Sequence, residues 1–93
     1  MFVMLAVHHP RPENRDDVLA SMQRVVEAAQ GAPGLVQIDV WHDQRSGRLV
    51  GLALWESQGA FEASRDEIFR VVAGTPFAEW EQQQPDVFLL TRP

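Results

Sequence analysis

Residues 2 to 9, FVMLAVHH, are apolar at both parities. Val3, Leu5 and Val7 fall on one side, and Phe2, Met4 and Ala6 on the other. A strand covered on both faces reads this way, and Pro10 and Pro12 end it. The next stretch, ENRDDVLASMQRVVEAAQG, switches to helical spacing, with Val18, Leu19, Met22, Val25, Val26 and Ala29 along one stripe. Asp16 and Asp17 lie in the first turn, where the helix dipole favours acids. Asn14 suits the N-cap, Gly31 suits the C-cap, and Pro33 blocks continuation. The spacing predicts a helix over residues 15–30.

LVQIDVWHD then alternates, with Val36, Ile38 and Val40 on one side and Gln37, Asp39 and Trp41 on the other. The turn DQRSGR contains Gly47, and LVGLALWE returns, so residues 35–56 read as a β-hairpin. Ser57 suits the cap of a second helix whose inner face is Ala60, Phe61, Ser64, Ile68, Phe69 and Val72. Gly74 ends it. Thr75-Pro76 opens a short further helix with Phe77 and Trp80 on its buried side, and DVFLLT after Pro85 is a last strand. The order β-α-β-β-α-β predicts an α+β, ferredoxin-like fold: one antiparallel sheet with two helices on one face, a single domain over residues 1–93.

Two helices leave the second sheet face bare. That face carries Val3, Leu5, Val7, Val50, Leu52 and Leu54, or their equally apolar neighbours. A patch of this kind is rarely left in water. A homodimer packed through its sheet faces with two-fold symmetry removes it; the alternative is a monomer covered by its own C-terminal segment.

Composition narrows the chemistry. At 93 residues with 45% apolar content, the chain is rich in apolar side chains for its size. Thirteen acids against eight bases give a net charge of −5, which disfavours nucleic acid as a partner. No apolar stretch is long enough to span a membrane. Cys is absent, and residues 1–7 are too short for a secretion signal, which points to the cytoplasm. Lys and Tyr are absent too, so Schiff-base, thiolate and phenolic chemistry are excluded. No phosphate loop, serine elbow or metal-binding helix motif occurs, and neither a metal nor another cofactor is expected.

The candidate catalytic residues are His9, His8 and His42. Neighbours on a strand point to opposite faces, so His8 and His9 cannot both ligate one metal, and at most one can serve a pocket. That one would be the best acid–base group available; the other reading is a solvated strand end. A metal site joining His42 to His8 or His9 would need the strand ends to meet. Trp55, Phe61, Phe69 and Ser64 are the candidate substrate-binding residues. Trp55 suits either the wall of an aromatic pocket or the core, and Trp41 and Trp80 suit a core or a dimer interface.

The segment LVGLALWESQGAFEAS, with Trp55, Glu56, Ser57, Ala60 and Phe61, resembles the antibiotic biosynthesis monooxygenase family of dimeric α/β barrels. The entry into the second strand, GAPGLVQIDVWHD, is similar as well, and the element order matches over nearly the whole chain. The resemblance implies a pocket in each subunit between sheet and helices. Its members oxidise aromatics without metal or flavin, degrade haem, or act on small quinones. Ser64 stands where members often carry His, no Asn lies on the first strand, and Tyr is missing. Two functions are therefore expected in turn. One is a cofactor-independent monooxygenase for a small aromatic or quinone-like metabolite. The other is a non-enzymatic ligand-binding or stress-associated dimer of the same fold.

Overall fold

In a computed structural model that describes residues 1–93, the first apolar run forms β1 (Phe2–His8). A 3-10 turn, Pro12–Asn14, leads into α1 (Arg15–Ala28). The hairpin is β2 (Leu35–His42) and β3 (Leu49–Trp55). Next come α2 (Gln58–Phe69), a 3-10 turn (Arg70–Val72), the one-turn α3 (Phe77–Trp80) and β4 (Asp86–Thr91). The four strands make one antiparallel sheet in the order β2-β3-β1-β4, the ferredoxin-like α+β arrangement expected from the pattern.

Register decides which side chains meet. On β1, Phe2 pairs with Trp55, Met4 with Ala53, Ala6 with Gly51 and His8 with Leu49. These residues face the helices. The core has two centres. Phe2, Ala29, Ala53, Trp55, Phe61 and Ile68 form one, and Val18, Met22 and Leu49 the other. In the first, Phe2 and Trp55 lie against Phe61 with ring centroids 5.2 Å and 6.0 Å away.

Local chemistry accounts for the joints. Ser57 caps α2 as expected, its hydroxyl accepting from the Ala60 N–H at 3.1 Å. Asn14 does not cap α1. Its backbone is already near-helical (φ −114°, ψ 9°), and its amide donates to Asp17 instead. The Pro12–Asn14 turn runs straight into the helix, so no extended residue precedes it. Gly34 needs its freedom: it sits at φ +82°, and a Cβ there would lie 2.6 Å from the Cβ of Ala60. Asp43 organises the hairpin turn. The Ser46 hydroxyl, then the N–H groups of Arg45 and Ser46, donate to its carboxylate and hold its pKa below the usual carboxylate value.

One expected position differs. Val36 does not point inward with Ile38 and Val40 but is exposed, because a bulge between Leu35 and Gln37 shifts the register. The sheet face away from the helices is apolar across its centre, in rows Val3–Leu54, Leu5–Leu52 and Val7–Val50. Phe88 and Leu90 of β4 and Trp41 of β2 extend it and are exposed. No helix is long and apolar enough to cross a membrane.

Candidate functional site

Between the two core centres the two middle strands carry only small side chains at one paired position. Ala6 and Gly51 are directly paired there, and Ala53 is the next small residue on β3. This floor, roofed by Met22 and Val25 of α1 and by Phe61, Ile68 and Phe69 of α2, leaves a half-open cavity of about 210 Å³. Its walls are apolar almost throughout. Trp55 closes one end, and His8 and Phe77 border the other. Because Met22 Cε lies 3.4 Å from where a Gly51 Cβ would sit, Gly51→Ala costs little. Gly51→Leu would project a side chain into the space and is expected to abolish ligand binding while the protein still melts cooperatively. Titrating both variants with an aromatic ligand and following tryptophan fluorescence checks this.

His8 is the histidine that reaches the cavity. Its Nδ1 lies 3.0 Å from Glu81 Oε2, and its ring tilts against Phe77 with centroids 5.7 Å apart. The Glu81 side chain is only 1% exposed, and its other oxygen accepts from the His9 backbone N–H at 2.8 Å. One buried carboxylate thus grips two successive residues of the β1 end. The chain around it is held by backbone bonds as well: Gln82 N–H donates to His9 O, and Arg11 N–H to Trp80 O, each at 2.8 Å.

His9 turns to the opposite side. It is buried outside the cavity, with Nε2 2.9 Å from Asp86 Oδ2 on β4. His42 is exposed at the end of β2 and is not part of the cavity wall. It shares a row with His8, but Leu49 of β3 stands between them. Two strand spacings separate their backbones by about 10 Å, and no cluster of three or more His, Asp or Glu side chains that could hold a metal ion forms. Trp55, Phe61 and Phe69 all line the cavity, whereas Ser64 is half-buried on the inner face of α2 outside it. Trp55 is also a core residue, 2% exposed, with an indole N–H that has no partner. Trp41 is exposed on the bare sheet face, and Trp80 packs edge-on against Phe77.

The sequence alone did not single out Glu81 or the Ala6–Gly51 floor. Glu81 sits among polar residues and looks like a surface acid until β1 is placed beside it. The small residues were detectable as gaps in two otherwise bulky strands, but only pairing shows that the gaps coincide.

A four-stranded antiparallel sheet, helices on one face and an apolar cavity between the layers define the class: a ferredoxin-like α+β domain. The family follows from the chain itself. Residues 1–67 match the model of the antibiotic biosynthesis monooxygenase family, and the chain belongs to that family. No curated protein matches its sequence. Among solved structures it is similar to Rv0793 from Mycobacterium tuberculosis, at 19% identity and TM-score 0.84 over 99% of this chain and 94% of that one. It is also similar to an antibiotic biosynthesis monooxygenase, at 23% identity and TM-score 0.79 over 100% and 99%. A third is SnoaB, a cofactor-independent oxygenase from Streptomyces nogalater, in an N63A mutant form. It matches at 13% identity and TM-score 0.78 over 98% and 91%. At these identities the likeness is one of fold.

Proposed function

We propose that the protein is a monooxygenase that holds a small aromatic or quinone-like metabolite in the sheet–helix cavity and oxidises it with O2, without a bound cofactor. His8 is its base. The observation that carries this reading is an apolar cavity bordered by one histidine that is itself anchored by a buried carboxylate. Membership of a monooxygenase family supports it, as does the shared fold of a cofactor-independent oxygenase.

The chemistry needs little else. Removing a proton from a phenolic or flanked C–H position makes the ring system electron-rich enough to reduce O2. Where a hydroquinone gains one ring oxygen and becomes a hydroxyquinone, one atom of O2 enters the product and the other leaves as water. Oxidation of the ring to the quinone level and of one ring C–H to C–OH supplies two electrons each, so no outside reductant is required. Size narrows the substrate. A cavity of about 210 Å³ exceeds the roughly 150 Å³ that accommodates one benzene ring. It falls short of the roughly 300 Å³ at which drug-sized pockets begin. One- and two-ring hydroquinones fit this space better than three-ring anthrones.

Oxygen uptake tests the reading, with benzo- and naphthohydroquinones and an anthrone offered to metal-free protein. Uptake above the uncatalysed rate is expected with the one- or two-ring compounds, with a loss of about 10²- to 10⁴-fold in His8→Ala and near-normal rates in His42→Ala. Tight binding of these compounds with no uptake would instead support the non-catalytic ligand-binding function.

The same reading includes a second copy of the chain. Rows of Val, Leu and Phe on the face away from the helices form a surface that monomers rarely expose. Two such sheets, packed about 10 Å apart around a two-fold axis, would bury it.

A further inference from the structure

We propose that Glu81 is the positioning residue of this site: it holds the neutral His8 ring in the tautomer protonated at Nδ1, so that Nε2 meets the cavity as a bare acceptor. The proposal deepens the base role given to His8 above, but it can be tested without any turnover.

The His9 N–H fixes the geometry. A backbone N–H can only donate, and this one lies 2.8 Å from Glu81 Oε1. That contact sets the orientation of the carboxylate and delivers its second oxygen to His8 Nδ1 at 3.0 Å. An ionised carboxylate accepts and cannot donate. The opposite tautomer would press the Nδ1 lone pair against a carboxylate oxygen in a site where the Glu81 side chain is 1% exposed. Water is not there to relieve that repulsion. Protonation at Nδ1 leaves Nε2 with the lone pair. Nε2 has no hydrogen-bond partner within the protein, and the His8 side chain keeps 14% exposure at the cavity edge. Phe77 packs against the ring and limits its swing.

A consequence for selectivity follows. The cavity offers a ligand an acceptor at its His8 end, so a compound with an O–H there gains a hydrogen bond that a methyl ether or plain ketone cannot make. A hydroquinone is favoured over its dimethyl ether by more than shape allows.

The segment carrying Glu81 does not depend on its side chain alone, because the His9–Gln82 and Arg11–Trp80 backbone bonds remain. Glu81→Gln is therefore a usable variant. Its amide oxygen still accepts from the His9 N–H, which turns its NH2 toward His8 Nδ1. A donor in that place requires the ring proton to move to Nε2.

Two-bond proton–nitrogen correlation spectra of uniformly 15N-labelled protein read the tautomer directly. They are recorded at a pH where free imidazole is neutral, and His8 is assigned by the signals lost in His8→Ala. In the wild type, the Nδ1-protonated form is expected to exceed the other by about tenfold or more, the effect of one hydrogen bond. In Glu81→Gln the ratio should reverse. An Nε2-protonated or a doubly protonated His8 in the wild type, or an unchanged ratio in the variant, overturns the proposal. Should Glu81→Gln fail to fold, the wild-type ratio alone decides. Reversal of the tautomer in protein that oxidises none of the offered compounds upholds the positioning role and removes the base role from His8.

Discussion

Trp55→Ala is expected to lower the unfolding free energy by about 3–5 kcal/mol, a large share of the roughly 5–15 kcal/mol of a small domain. Trp55 is 2% exposed, pairs across the sheet with Phe2 and meets Phe61 edge-on. Truncation would join a new void to the existing cavity, and neighbours pinned by strand pairing cannot collapse into it. Trp55→Phe should behave differently. It loses part of the ring area but also removes an indole N–H buried without a partner, a group whose desolvation costs about 1–3 kcal/mol. The two terms offset, so this variant should fall within about 1.5 kcal/mol of the wild type. Denaturant midpoints with a common slope give both values. Equal damage from the two substitutions would mean that the indole N–H is satisfied in solution, and the offset argument would fail.

Leu52→Asp should keep the fold and break the assembly. Leu52 lies at the centre of the bare sheet face, paired with Leu5, which also neighbours Phe88. It points away from the helices and contributes to neither core centre. In a two-fold dimer the substitution enters twice, placing two unpaired carboxylates of like charge in one apolar interface. At about 1.4 kcal/mol per tenfold in affinity, a cost of only a few kcal/mol weakens association at least about 100-fold. Light scattering should give twice the chain mass for the wild type and a single chain mass for Leu52→Asp, with unchanged circular dichroism. A wild type of single-chain mass at high concentration would end the proposal of face-to-face pairing.

The fold was legible because each element had a strong period of its own: saturated apolar runs for β1 and β3, a clean stripe for α1, and Gly or Pro at the joints. Where reading failed, a local rule met a competing local geometry. Alternation places Val36 on one side with Ile38 and Val40, but a bulge in β2 breaks the alternation there and leaves it exposed. Asn14 has the right type for a cap but closes a 3-10 turn that removes the cap conformation. The site was half legible. Strand parity separates His8 from His9, and of the two only His8 borders the cavity. Parity could not choose between them, since the face that the helices cover is decided by packing far along the chain. Nor could it find Glu81, whose burial arises from contact with residues more than 70 positions away.

The central place of β1 sets a timetable for folding. It is the first strand to be synthesised, yet its two neighbours are β3 and β4, the latter arriving last. The β2–β3 hairpin and both main helices close local loops and can form early, whereas β1 must wait for partners of high contact order. The His8–Glu81 contact joins residues 73 apart and forms only when the segment that follows α3 has docked on the end of β1. A ring held in this way therefore reports that the chain beyond α3 is in place, and a chain cut before Glu81 would lack the anchor of His8.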